Sequence, residues 1–225
     1  MQENSGRVRW GGMFLAVAMT LAFAGFTIYT FGVPFPVEGQ PAQERARELA
    51  GASAQLSTTG YVGTVGDVFQ ILGGLLLLVR AVWDRGALPI AAGWGLVAVG
   101  GVVLLLVDVS NVAAFGHLAQ AAAFDASLVP LFEGATATAD FLFNLGVVVS
   151  AAGFAIVLLA DARSEARAIP RSLAWVGFVA SLLAVIGSFT YLLGVTALGF
   201  LVLASYVTFI AVGSLGVRLA IDPEI

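Results

Sequence analysis

The stretch LPIAAGWGLVAVGGVVLLLVDVSN, residues 88–111, decides the fold. From Leu88 to Val107 it carries no charged side chain, and about 20 helical residues cross the ~30 Å hydrocarbon core of a bilayer. It ends in Asp108 and Asn111, three residues apart. That spacing sets a carboxylate and an amide on one helical face at the end of a membrane span.

The same pairing recurs on either side. Asp140 and Asn144 stand four apart in TADFLFNLG, where the next apolar run begins, and Asp67 and Gln70 stand three apart in the run before. These three pairs are the candidate polar-cavity or ion- and proton-binding residues. The apolar runs predict six transmembrane helices at about 10–31, 61–83, 88–111, 138–160, 171–193 and 196–219. The expected fold is all-α: one polytopic membrane bundle over residues 1–225, with short surface helices in its two outer loops.

The first run is too long for the apolar core of a signal peptide and leads into Tyr29, Phe31 and PFP, so it reads as a retained helix. Its Gly12, Ala16, Thr20 and Ala24 form a small-residue ladder suited to close packing. In the first connection, PAQERARELAG predicts a short surface helix. Pro41 lies near its start, Glu44 and Arg47 pair at i,i+3, and Gly51 stops it. Its charges read as a solvated face. In the second connection, residues 112–137, Phe115, Leu118 and Ala122 recur at helical spacing. That segment either extends the third helix or lies in the interface, with Gly116 as a natural break. The fifth and sixth helices are joined by little more than Gly194 and Val195, which makes them an antiparallel hairpin. No internal repeat points to an inverted-repeat transporter.

Orientation follows from arginine. A cytoplasmic N-terminus puts Arg7, Arg9, Arg80, Arg85, Arg163, Arg167, Arg171 and Arg218 inside and only Arg45 and Arg47 outside. Eight against two follows the positive-inside rule, and an even number of helices returns the C-terminus to the cytoplasm. With six acids inside and eight outside, the two faces carry +2 and −6, which recovers the net −4. Trp10, Trp83, Trp94 and Trp175 fall toward the cytoplasmic side as membrane anchors. The expected location is a bacterial-type plasma (inner) membrane, multi-pass, with both ends inside.

Composition narrows the chemistry. The chain is 60% hydrophobic and 11% charged, against about 25% charged in soluble domains. It has ten Arg, no Lys, no Cys and one His. Without Lys there is no Schiff-base chromophore, pyridoxal site or Lys-dependent phosphate loop. Without Cys there is no disulfide, thiolate metal site or iron–sulfur cluster. His117 lacks HxxxH or HExxH company, so it reads as an interfacial histidine and not as a metal ligand with Asp108, Glu133 and Asp140. Ser150, Ser188, Thr190, Ser205 and Thr208 have no neighbouring base and read as hydroxyls bonded back to their own helices. No catalytic residue, cofactor or metal site is expected, and nucleic acid is not an expected partner.

Depth grades the acids. Asp67 lies thirteen residues before Arg80, about 20 Å of helix, which puts it roughly 10 Å below the outer boundary. Asp108 and Asp140 lie nineteen and twenty-one residues from Pro89 and Asp161, at the outer headgroup level. A deep acid in a span is a functional suspect, whereas an interfacial one is cheap. Asp140 reads equally as a first-turn acid favoured by the helix dipole. Asp67 reads equally as a carboxylate fastened to an amide such as Asn144 or Asn111. Tyr191 and Tyr206 are candidates to line a cavity with Asp67.

Arg167 to Leu183, within ARAIPRSLAWVGFVASLL (residues 166–183), resembles the G-x-L-P-R-W-L-G-W-x-G helix start of a broad group of bacterial six-helix integral membrane proteins catalogued as a domain of unknown function. Ser172 stands where that pattern prefers Trp. The resemblance implies six helices, an outer loop after the first and a charged turn after the second. It implies no reaction.

Two functions follow. One is an assembly or interaction subunit that packs against itself (a homo-oligomer) or a membrane partner. Its docking surfaces would be the small-residue faces Gly12/Ala16/Thr20, Gly146/Ser150 and Ala180/Ala184/Ser188. The alternative is a small transporter or ion- or proton-linked permeation protein with an outward-facing acidic cavity. An intramembrane enzyme ranks third, since no nucleophile, base or metal cluster is evident.

Overall fold

A computed structural model describes residues 2–34, 39–83 and 88–224, the side chains from residue 5 onward. Residues 35–38 and 84–87, which include part of the first Pro-rich connection and the charged turn around Arg85, lie outside the described residues. Among the described residues the fold is all-α, without strands. Six helical stretches are long and apolar enough to cross a membrane: Ser5–Gly32, Ser53–Trp83, Leu88–Phe124, Ala126–Arg163, Arg171–Leu192 and Thr196–Ile221.

The elements in chain order are α1 (Gln2–Gly32), α2 (Ala42–Gly51), α3 (Ser53–Trp83), α4 (Leu88–Ser110), α5 (Gly116–Phe124), α6 (Val129–Arg163), α7 (Arg171–Leu192) and α8 (Ser205–Ile221). The long helices form a closed ring. α3 lies between α1 and α4, α6 between α4 and α7, and α8 closes the ring against α1 and α7.

Several boundaries differ from expectation. The third span does not stop at Asn111. A five-residue π-helical segment, Asn111–Phe115, carries it into α5, and Gly116 continues the helix at φ −62°. The 37 residues of Leu88–Phe124 measure about 55 Å, nearly twice the bilayer core. The fourth span begins at Val129, nine residues before the expected Thr138, because Pro130 occupies the first turn, where a missing N–H costs nothing. The second span begins at Ser53 and not Tyr61. Thr58 bonds back to the Ala54 carbonyl at 2.8 Å, so a polar-looking stretch is helical. The sixth opens with nine residues of 3₁₀ helix, Thr196–Ala204, after a turn at Gly194 with φ +79°, a left-handed conformation that favours glycine.

Small residues allow the helices to touch. A Cβ on Gly12 would lie 2.6 Å from the Gly216 carbonyl oxygen, and one on Gly153 would lie 2.5 Å from that of Gly93. Backbone therefore meets backbone at α1/α8 and α4/α6. The three small-residue faces are largely spent inside the chain. Gly12 meets α8, Gly146 meets Leu104, Ser150 meets Gly100, and Ala180, Ala184 and Ser188 are buried; Thr20 stays exposed.

Two apolar cores result. The larger one, with Leu15, Met19, Trp94, Val97, Leu158, Val212 and Leu215, fills the ring toward the end that carries the chain termini. The smaller, with Val33, Ala46, Leu49, Leu56, Phe115, Ala119 and Phe132, joins α2 and α5 across the other end. Before α7, the Asp161 carboxylate accepts the Ala168 and Ile169 N–H groups at 2.8 and 3.4 Å, which fixes the ARAIPR turn.

Candidate functional site

Between the two cores lies a cavity of about 170 Å³. Its walls come from regular helical stripes. α1 contributes Ala22, Gly25, Phe26 and Tyr29, α3 contributes Thr59, Gly63, Gly66, Asp67 and Gln70, and α4 contributes Leu104, Val107 and Asp108. Each set steps by three or four residues apart from one adjacent pair, the spacing of one helix face. The π-helical segment adds Asn111 and Phe115 to the same wall. Such wide turns are frequent at functional sites. α6 supplies Thr136, Asp140, Phe143, Val147, Ser150 and Phe154, and α8 supplies Ser205, Thr208 and Phe209.

Asp67, Gln70, Asp108, Asn111 and Asp140 thus share one cavity, while Asn144 is not part of its lining. The three acids divide into a pair and a single residue. The Asp67 and Asp108 carboxyl groups face each other, and the Asn111 side chain lies beside Asp108. Gly63, one turn before Asp67, makes room, since the Asp108 carboxylate occupies the position a Cβ there would take. Asp67 is only 7% exposed, and its Oδ2 has no hydrogen-bond partner. Thr59, also 7% exposed, has an unpartnered Oγ1.

The amides behave differently from the expected acid–amide pairs. Gln70 does not serve Asp67. Its Nε2 donates to the Val97 carbonyl and to Ser150 Oγ, both at 3.0 Å, tying α3 to α4 and α6. Asn144 donates back along its own helix to the Asp140 carbonyl at 2.8 Å. Asp67 therefore meets a second carboxyl, where an amide such as Asn144 or Asn111 was the expected fastening.

Asp140 sits with a group that sequence reasoning assigned to solvent. Arg45 of α2 turns inward, its side chain only 12% exposed, and lines the cavity. Its guanidinium donates to the Pro34 carbonyl at 2.6 Å and lies 3.8 Å from Glu48. It interacts electrostatically with Asp140, beside Tyr29 and Tyr191. A signal for this was present, because Arg45 lies four residues before Leu49, a buried residue on the same face. Tyr191 and Tyr206 are not part of the cavity lining. The Tyr206 ring packs on Phe23 and Phe26 at centroid distances of 5.0 and 4.9 Å.

Several of the remaining polar residues lie elsewhere or are tied into the bundle, whereas Ser188, expected to bond back to its own helix, is buried with its Oγ unpartnered. His117 is exposed on α5, and among the described residues no three His, Asp or Glu side chains gather as a metal site. Thr190 bonds back to Ile186, and Ser181 bonds Thr208 at 3.2 Å. Asp125, between α5 and α6, is fully exposed. The Ser127 hydroxyl and N–H, at 2.7 and 2.9 Å, hold its carboxyl below the usual range.

Comparison of the chain with family models, curated proteins and solved structures gives no match.

Proposed function

We propose that this chain is a small multi-pass membrane protein that binds a cation or a proton in the cavity between its helices and takes part in the permeation of that ion. The observation that carries this reading is the Asp67–Asp108 pair on the cavity wall, with Asp67 Oδ2 left without a donor. Two carboxyl groups hydrogen-bond to each other only when one holds a proton. With neither protonated, a cation has to lie between them. Either way the pair selects positive charge, and acids inside a membrane are costly enough to be kept for such roles.

The rest of the cavity fits. Asp140 has Arg45 close by, which leaves the pair to meet an incoming charge. The ring beyond Gln70 is packed shut by the larger apolar core. A site packed shut toward the terminal end and capped by α2 and α5 at the other requires a rearrangement before an ion crosses. The assembly reading loses most of the docking faces assigned to it, because they are occupied within the chain.

We place the cavity end, capped by α2 and α5, toward the outside of a bacterial-type plasma membrane, with both termini in the cytoplasm. Arginine partitioning supports that orientation. The test is reconstitution in liposomes with a pH- or cation-sensitive dye inside. Asp67→Asn and Asp108→Asn are expected to abolish ion-dependent flux, and Asp125→Asn to leave it unchanged. Equal effects of Asp67→Asn and Asp125→Asn would contradict the assignment.

A further inference from the structure

We propose that the occupant of this cavity is a small monovalent organic ammonium ion with a hydrocarbon body about the size of a benzene ring. This rests on the cation-binding reading above and names its substrate class. Charge comes first. The ionisable groups that line the cavity and carry charge are Asp67, Asp108 and Asp140 against Arg45. Arg45 offsets Asp140, with which it interacts electrostatically, and when the carboxyl pair holds one proton, one net negative charge remains. A single ammonium group balances it, whereas a calcium ion would need six to eight oxygen ligands, and among the described residues no three His, Asp or Glu side chains gather closely enough to hold a metal ion.

Surface and volume come next. Apart from the acids, much of the wall is hydrocarbon and aromatic, including Phe26, Phe143, Phe154 and Phe209. Ring faces attract an ammonium group and pack against an apolar body, but they offer nothing to the water shell of a small inorganic ion. The volume of about 170 Å³ slightly exceeds the 150 Å³ of an engineered apolar cavity that holds benzene. Of the groups that line the cavity, three buried polar atoms have no hydrogen-bond partner: Arg45 Nε, whose charge is set against Asp140, and the acceptors Asp67 Oδ2 and Thr59 Oγ1 on the α3 face. An ammonium brings up to three N–H donors to such acceptors.

The experiment is isothermal titration of the full chain in nanodiscs with benzylammonium chloride, with benzyl alcohol as its neutral counterpart, and with sodium and potassium chloride. Benzylammonium is expected to bind at least about tenfold more tightly than benzyl alcohol. Asp67→Asn and Asp108→Asn are each expected to erase that preference while keeping the alcohol's affinity, which also reports an intact cavity. Equal affinity of amine and alcohol, or a preference that survives both substitutions, overturns the proposal. Binding of sodium or potassium at the carboxyl pair with no response to the amine overturns the substrate class and leaves the cation site standing. Silence of every cation while the alcohol still binds overturns both.

Discussion

At the scale of single residues, the site depends on Gly63 as much as on the acids. An alanine there would put its Cβ into the Asp108 carboxylate, so Gly63→Ala should push that group off Asp67. Overpacking of this kind costs about 1–3 kcal/mol, set against the roughly 1 kcal/mol a helix gains from Gly→Ala. Gly95→Ala, whose added carbon meets nothing, isolates the helix gain. We expect Gly63→Ala to lose the cation response as Asp108→Asn does, measured by the same titration, while Gly95→Ala keeps it. An unchanged cation response in Gly63→Ala would contradict the pairing. The acids themselves were readable in the sequence because a carboxylate inside an apolar run is conspicuous. Their partners were not. Gln70 lies on the expected face, yet its donors are taken by Val97 and Ser150 on other helices, and nothing in local spacing announces a bond across 27 or 80 residues. Arg45 was hidden in the opposite way, as one charge in a helix full of charges.

At the scale of elements, helix contacts set where the cavity can lie. α1 and α8 touch where each glycine faces the other's backbone: a Cβ on Gly216 would stand 2.7 Å from the Gly12 carbonyl oxygen and 2.8 Å from the Ala16 nitrogen. Backbone cannot step aside as a side chain can. Gly216→Ala should therefore lower stability by about 1–3 kcal/mol, read as an earlier thermal unfolding midpoint in detergent, whereas a midpoint at or above the wild-type value would contradict the close contact. The ladder Gly12/Ala16/Thr20 was legible as a packing face, but sequence spacing does not say whether the partner is another helix of the same chain or another protein. Element ends were less legible. Thr58 and Thr59 resemble a loop until the helical hydrogen bonds and the buried cap around Leu56 are considered. The π-helical turn after Ser110 shifts the register by which Asn111 and Phe115 reach the cavity, and residue identities alone do not mark it.

At the scale of the whole molecule, two facts combine. Six long apolar stretches form a ring, and its interior is divided into a packed half and a half that holds the acid-lined cavity beneath α2 and α5. The number of spans was readable because a bilayer demands uninterrupted apolar length, a coarse property that tolerates errors of several residues at each end. The closing of the ring by α8 against α1 was not, since contacts between the first and last spans leave no periodic trace. The proposed function requires the acidic end to face outward. The chain has no cysteine, so single-cysteine variants report without background. Glu44 lies exposed on α2, and Ser172 lies exposed at the start of α7, at the opposite end of the bundle. With a membrane-impermeant thiol reagent on intact cells, Glu44→Cys should be labelled at once and Ser172→Cys only after permeabilisation. Labelling of Ser172→Cys in intact cells, with Glu44→Cys protected until the membrane is opened, would contradict the account.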